Sequence, residues 1–468
     1  MTEIFTDGID IAHPDAHNLS ERARRHLWLH FARMGTYGVN ADIPVFTHGK
    51  GAYIYDASGK EYFDGISGLF CSMLGHGRED IAAVAAKQMT TMAYAPLWTY
   101  AHEPAILLAE KLASMTPGDL NRVFFTSGGA EAVESAFKLS RQYHRLRGEP
   151  DRYKVISRDV AYHGTTMGAL TITSVEAYRE PFAPLVPGAV KVPNLNFYRA
   201  PQHGEDWHAF GQWSAQQIED AILREGPNTV ACVVIEPVQN AGGCFVPPPG
   251  YMQKVREICD RYGVLMVSDE IICAFGRIGE FFGGTKFDYV PDIMCVAKGI
   301  TSAYAPLGAM IVRDEIADVF MQDDRSFLHG FTFAGHPVSC AVALKNIEIF
   351  ENEQIIENVQ NNQDYFGQKL AELYELPIVG DVRGTGYFWG VELVKDKHTK
   401  ETWHGADAER LMRGFISAEM FRRGIIFRSD DRGDPVLQFA PPLITTREQI
   451  DHIVGTLHDV LVEALDHV

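Results

Sequence analysis

Three apolar runs in this chain each stop at an ionisable side chain. Ala231-Cys-Val-Val-Ile235 ends in Glu236-Pro237, Val264-Leu-Met-Val-Ser268 ends in Asp269-Glu270, and Asp292-Ile-Met-Cys-Val-Ala297 ends in Lys298-Gly299. Apolar segments of strand length that do not alternate with polar residues belong to sheets covered on both faces by helices. Open α/β sheets of that kind build their sites beyond the carboxyl ends of the strands. The three endings therefore predict that Glu236, Asp269 and Lys298 meet at one edge of a mostly parallel sheet. A lone lysine at a strand end is ordinarily solvated, so it is the company of the acids that singles out Lys298.

The 468 residues suffice for a sizeable core and at least two domains. Lys and Arg number 42 against 61 Asp and Glu, a formal net charge of −19. That balance argues against nucleic acid and anionic membrane as partners, and it requires any anionic ligand to be held by local groups. Glu3, Asp7 and Asp10 interrupt the start of the chain, which argues against a signal peptide, and no apolar stretch has the length of a membrane span. The seven cysteines form no CxxC pair and read as thiols of a reducing cytoplasm; no metal site is expected.

Along the chain, Asn18-Leu-Ser-Glu21 reads as a capping box opening an amphipathic helix to Met34 that carries Trp28, Leu29 and Phe31. Its apolar face packs either on its own domain or on a second subunit. Gly51 to Asp64 alternates and turns at Ser58-Gly59, a β-hairpin. From Glu79 to about Phe350, helical and strand patterns alternate, with helical stripes that stop at Gly148 and Gly263. Past Ala341 the pattern is a long helix to Tyr374, strand pieces at 384–392 and 425–427, and a last helix from about Arg447. The expected layout is residues 1–75 and 341–468 forming a smaller α+β domain from both chain ends, with a large sheet domain at 76–340 inserted between them.

An acid facing an unprotonated amine suits the chemistry of pyridoxal 5'-phosphate (PLP): the lysine forms a Schiff base, and the acid keeps the pyridine nitrogen protonated. Further pieces stand in the matching order. Val123-Phe-Phe-Thr-Ser127-Gly-Gly-Ala130 is a strand turning into a helix, whose free N–H groups and positive end suit a phosphate. Tyr162-His163-Gly164 follows a strand and offers an aromatic either to the core or to a pyridine ring. His329-Gly-Phe-Thr332-Phe-Ala-Gly-His336-Pro337 is rich in polar, turn-forming residues, and Arg428 follows an apolar piece near the C-terminus.

Together these motifs resemble the class III aminotransferases of PLP fold type I, from about Pro44 to the C-terminus. Gly68-Leu-Phe70-Cys71 and Arg428 make the chain most similar to the ω-amine:pyruvate and β-alanine:pyruvate members. The resemblance implies that Lys298 is the Schiff-base lysine and proton carrier, and that Asp269 pairs with the pyridinium nitrogen. It implies that Ile271 and Tyr162 flank the ring and that Gly128, Gly129 and Ala130 hold the phosphate, with Glu236 also at the cofactor. Thr332 would reach the phosphate of a neighbouring subunit, which makes a homodimer the smallest working unit, with a tetramer open. Phe70, Trp98, Tyr162 and Arg428 would contact substrates, a small amine donor and a 2-oxo acid such as pyruvate. Another class III activity stays open: a diamine or diaminopelargonate-type aminotransferase, or an aminomutase. Two departures are visible. Ala130 stands where many relatives carry serine, and Ala241 stands where relatives acting on ornithine or 4-aminobutyrate have the glutamate that tethers the C-terminal arginine. An untethered Arg428 is expected to be movable, aided by the Arg432-Gly433-Asp434 turn.

Overall fold

A computed structural model describes residues 16–33, 35, 42–200, 202, 204–322 and 324–467. Each of the three apolar runs forms a strand buried along its whole length: Val230–Ile235, Leu265–Asp269 and Ile293–Val296. They are the centre of a seven-stranded sheet in the order Leu120–Thr126, Gly308–Arg313, Ile293–Val296, Leu265–Asp269, Val230–Ile235, Lys154–Arg158 and Ala189–Val192. Why these runs do not alternate is visible in their packing. Cys232 and Val234 meet Ala132, Val133 and Ala136 of helix Gly129–Leu146, while Val233 and Ile235 meet Ile218, Val255 and Ile258 of helices Trp207–Glu225 and Tyr251–Tyr262. Both faces are covered, so both sets of side chains must be apolar. Gly148 and Gly263 take left-handed φ values, +85° and +62°, where the helical stripes stop.

The sheet is mixed rather than uniformly parallel, because Gly308–Arg313 runs antiparallel to both neighbours. It follows Ile293–Val296 with only a 3-10 turn, Lys298–Ile300, between them; without a crossover helix the chain can only double back.

Both chain ends build the smaller part. Phe46–Lys50, Tyr53–Asp56 and Glu61–Asp64 form an antiparallel meander, and Ile425–Ile426 joins it in parallel beside Glu61–Asp64. The expected hairpin turns at Ser58-Gly59, where the Asp56 carboxylate accepts the Ser58 N–H at 2.8 Å. A second antiparallel sheet runs Val379–Thr385, Phe388–Leu393, Val436–Phe439, Arg428–Asp430. The single piece expected at 425–427 is thus divided: Ile425–Ile426 serves the first sheet, and the chain then crosses to the second. Arg277 fastens both ends to the sheet domain. Its buried guanidinium donates to the carbonyls of Tyr387 at 3.0 Å and Pro441 at 2.6 Å and to Ser67 Oγ at 3.0 Å.

Two helical expectations are corrected. The N-terminal helix is Ala16–His26, already under way at Asn18, and it closes on Arg24, Arg25 and His26, basic groups suited to the negative end of the dipole. Trp28, Leu29 and Phe31 lie beyond it, with Trp28 86% and Phe31 69% exposed; Met34 lies outside the described residues. The long helix expected up to Tyr374 is two, Pro337–Asn352 and Ile355–Ala371, broken where Gln354 takes φ +52°. Among the described residues no helix is long and apolar enough to cross a membrane.

Candidate active site

Glu236, Asp269 and Lys298 leave the ends of adjacent strands and line one cavity of about 180 Å3. Gly129, Ala130, Tyr162 and Ile271 line it too, with His163, Gly164, Val238, Asn240, Ile272 and Cys273. Lys298 is held at φ +49°, a left-handed conformation that costs energy in a residue with a side chain. Its amine has no hydrogen bond among the described residues, and the Phe70 ring centroid is 5.8 Å away. Burial pushes the lysine from its ordinary 10.5 down to about 8, against the pull of Asp269. Asp269 is 4% exposed. One of its oxygens accepts from His163 Nδ1 at 2.7 Å and the other from the Ile271 N–H at 3.2 Å. Glu236 Oε1 accepts the Tyr162 N–H at 3.3 Å, and no hydrogen bond reaches Oε2; burial raises this carboxyl above its usual range.

Helix Gly129–Leu146 begins with Gly128 as its N-cap. An added Cβ at Gly128 would meet nothing within 4 Å, so its backbone is open to an approaching group. Gly129 differs: a Cβ there would lie 2.8 Å from Ile271 Cδ1. The helix start thus brings N–H groups and a positive dipole end to the same cavity as a buried acid and a neutralisable lysine. A planar cation with a phosphate tail fits that set of groups. Among the described residues no cluster of His, Cys, Asp and Glu could hold a metal ion.

Comparison with known proteins decides the class of chemistry. The family Aminotransferase class-III matches residues 36–461. The chain belongs to the class III aminotransferases. It is 54% identical over 445 residues to a probable aminotransferase of Mycobacterium tuberculosis, covering 95% of this chain and 94% of the relative. It is 39% identical to the putrescine–pyruvate aminotransferase of Pseudomonas aeruginosa, over 88% of each chain. Its fold superposes on the thermostable (S)-enantioselective ω-transaminase of Thermomicrobium roseum with a TM-score of 0.93 and 40% identity, covering 97% of this chain and 100% of that one. The aminotransferase is a PLP enzyme that moves an amino group between an amine or amino acid donor and a 2-oxo acid acceptor.

Not every residue expected at the site lines the cavity of this aminotransferase. Phe70 stands behind Lys298, fully buried, with its ring 5.8 Å from the Lys298 amine and 5.8 Å from the Arg428 guanidinium. Arg428 is half-buried on strand Arg428–Asp430 and makes no hydrogen bond or ion pair among the described residues, and the wholly buried Ala241 has no side-chain oxygen with which to hold it. Burial and the nearby Arg432 lower the Arg428 pKa. The expected looseness of the Arg432-Gly433-Asp434 turn is not found. Arg432 is paired to the buried Asp430, and Asp434 sits 3.3 Å from Arg199. Trp98, 72% exposed, and the exposed Thr332 lie on the surface outside the cavity, close to one another in space: a Cβ on Gly330 would be 3.9 Å from the Trp98 ring. Sequence reasoning gave His163 no role, although the histidine is buried against Asp269. The two are 106 residues apart in the chain, and only the fold brings the loop after Lys154–Arg158 over the end of Leu265–Asp269, two places along in the sheet.

Proposed function

We propose that this aminotransferase accepts primary amines or ω-amino acids as donors and pyruvate or a similar 2-oxo acid as acceptor. One observation carries the reading. Beside the lysine stands an arginine, Arg428, that makes no ion pair among the described residues, and a half-buried guanidinium left unpaired is an anchor for a substrate carboxylate. Because nothing tethers it, the same pocket admits a carboxylate-free amine in the other half-reaction. A putrescine–pyruvate aminotransferase and an (S)-selective ω-transaminase among the similar proteins support this division of labour.

Bound PLP supplies an aldehyde for covalent attachment and an electron-withdrawing ring. In this reading Lys298 is the residue that would hold the aldehyde, and its amine would serve as the proton carrier at the reacting carbon. Asp269 would keep the ring nitrogen protonated, and His163 holds Asp269 in place. Tyr162, Ile271 and Glu236, which line the cavity, would hold the ring, and the N–H groups of Gly128, Gly129 and Ala130 would hold the phosphate. We assign Thr332 and Trp98 to the site of a second subunit, which makes the enzyme a homodimer with shared sites. The exposed Tyr94, Tyr100, Leu328 and Phe333 near them are apolar surface for that contact. Seven unpaired cysteines, six of them buried, support a cytoplasmic location.

The test is single-turnover loss of the cofactor's visible absorption with β-alanine, 1-phenylethylamine or putrescine, followed by pyruvate. Loss with β-alanine or 1-phenylethylamine and recovery with pyruvate is expected. Loss with putrescine alone would move the assignment to a diamine enzyme, and no recovery with pyruvate would remove the acceptor.

A further inference from the structure

Two arginines converge on the site from one short strand and the turn after it, and they are not equivalent. Arg428 and Asp430 are two residues apart on strand Arg428–Asp430, so their side chains leave the same face. Asp430 is 1% exposed, and a carboxylate so deeply buried needs a cation. Two are within its field, Arg428 and Arg432. Asp430 gives both oxygens to Arg432. Oδ1 accepts from Arg432 Nε at 2.8 Å and from the Arg432 backbone N–H at 3.1 Å, and Oδ2 accepts from Arg432 Nη2. The backbone bond ties the carboxylate to the turn that carries Arg432. The Arg432 guanidinium in turn sits 6.0 Å from the ring centroid of Tyr162, a wall of the cavity. Arg428, its other potential partner, makes no ion pair among the described residues and lies over the Phe70 ring.

We propose that Arg432 is a positioning residue that occupies Asp430 and thereby keeps Arg428 unpaired for the substrate carboxylate. The proposal rests on the reading of Arg428 as the carboxylate anchor. It adds that the availability of this anchor is set by a neighbouring charge on the same polypeptide turn. The trio carries a net charge of +1, which a substrate carboxylate neutralises and a second ammonium on a diamine would oppose. Without Arg432, Asp430 would be a buried carboxylate with Arg428 as its nearest cation and would close on it.

The experiment compares Arg432→Met, Arg432→Lys, Asp430→Asn, the double variant Asp430→Asn/Arg432→Met, and Arg428→Ala in the holoenzyme. Two quantities are read: affinity for propionate, a non-reacting carboxylate, by calorimetry, and the KM and kcat of the pyruvate and 1-phenylethylamine half-reactions. Arg432→Met is expected to weaken propionate binding and raise the pyruvate KM by roughly tenfold to a hundredfold, with the 1-phenylethylamine half-reaction changing far less. Arg432→Lys should fall within about threefold of the parent, because the cation is kept. The double variant should recover most of the lost affinity, since no carboxylate remains to capture Arg428; a purely structural role for Arg432 predicts no such recovery. Unchanged propionate affinity in Arg432→Met, or a double variant as weak as the single one, overturns the proposal. Should Arg432→Met fail to fold, Asp430→Asn decides alone: equal or tighter carboxylate binding supports the proposal, and weaker binding overturns it. Arg428→Ala separates the two levels. If it leaves propionate binding intact, the anchor itself is misassigned; if it abolishes binding while the Arg432 variants do nothing, only the present inference falls.

Discussion

Asp269 is the residue on which the rest of the site turns, because it is buried, accepts a hydrogen bond from His163 at 2.7 Å and faces the cavity that Lys298 also lines. Asp269→Asn keeps the shape but removes the charge that, in the proposed role, would stabilise a protonated ring nitrogen. Losing a buried charged partner is worth on the order of 3–5 kcal/mol, or roughly two to four decades in rate. His163→Phe keeps a ring of similar size and loses only the hydrogen bond, so its cost is smaller, about 1.5–3 kcal/mol or roughly ten- to a hundredfold. Steady-state rates of both variants, with their melting temperatures as control, check this order; His163→Phe falling as far as Asp269→Asn would place the histidine among the reacting groups. Lys298 carries the pH dependence. Its amine must be neutral to attach, and in the folded protein it loses its proton near 8 instead of 10.5. Attachment of PLP to the apoenzyme, followed by its absorbance, should therefore speed up as pH rises through about 8 and level off above. Between about 8 and 10.5 the unfolded chain holds a proton that the folded one has released, so apoenzyme stability rises with pH across that window and the burial penalty is full below it. Denaturant titrations at both ends of the window, beside a Lys298→Met control that should be flatter, test the sign.

At the scale of elements, the site depends on how closely the loop after strand Lys154–Arg158 approaches helix Gly129–Leu146. Gly164, at φ +116°, is where they touch: an added Cβ would lie 2.6 Å from Ala130 Cβ. Gly164→Ala would strain the loop and push it off the helix start, separating Tyr162 and His163 from the N–H groups proposed to hold the phosphate. Overpacking of this size costs about 1–3 kcal/mol, so PLP affinity should fall by roughly ten- to a hundredfold, measured by loss of cofactor on dialysis. Parent-like retention would show that the two elements yield easily. The elements differ in how far the sequence announces them. Strands buried on both faces leave unbroken apolar runs, so Glu236, Asp269 and Lys298 could be placed together from sequence, and glycines 148 and 263 mark helix ends through a conformation that favours them. Gln354 marks a helix break just as firmly at φ +52°, but glutamine gives no such signal. Trp28 and Phe31 misled because aromatic content was read as a helical face, whereas they follow the helix. Pairings such as His163 with Asp269 or Arg432 with Asp430 depend on strand order and side-chain direction, which the local pattern does not contain.

For the whole molecule, the open question of assembly comes down to one loop. His329 fastens it to the chain's own phosphate-side helix: Ser135 Oγ lies 3.0 Å from His329 Nε2, and Lys138 Nζ lies 2.9 Å from Nδ1. Three residues on, the Thr332 carbonyl accepts from the Tyr94 hydroxyl at 2.6 Å, while the residue as a whole stays exposed and away from the cavity. The loop is held by the His329 side chain and the Thr332 carbonyl, and it leaves Thr332 exposed amid exposed Tyr94, Trp98 and Phe333, a surface suited to meeting another. If that surface is a second copy, Thr332 of each subunit completes the phosphate site of the other, and the defect of Thr332→Ala appears in the partner's site. Mixing Lys298→Ala subunits with Thr332→Ala subunits then gives hybrids in which one site carries both defects and the other carries neither. About half of the refolded dimers should be hybrids by random pairing, each with one intact site, so activity should reach roughly a quarter of the parent's. The control is Thr332→Ala alone, whose loss of PLP affinity by roughly ten- to a hundredfold makes it scorable at limiting cofactor. Activity no higher than the sum of the two separate variants, from a sample shown by light scattering to contain dimers, would mean that each subunit furnishes its own phosphate site.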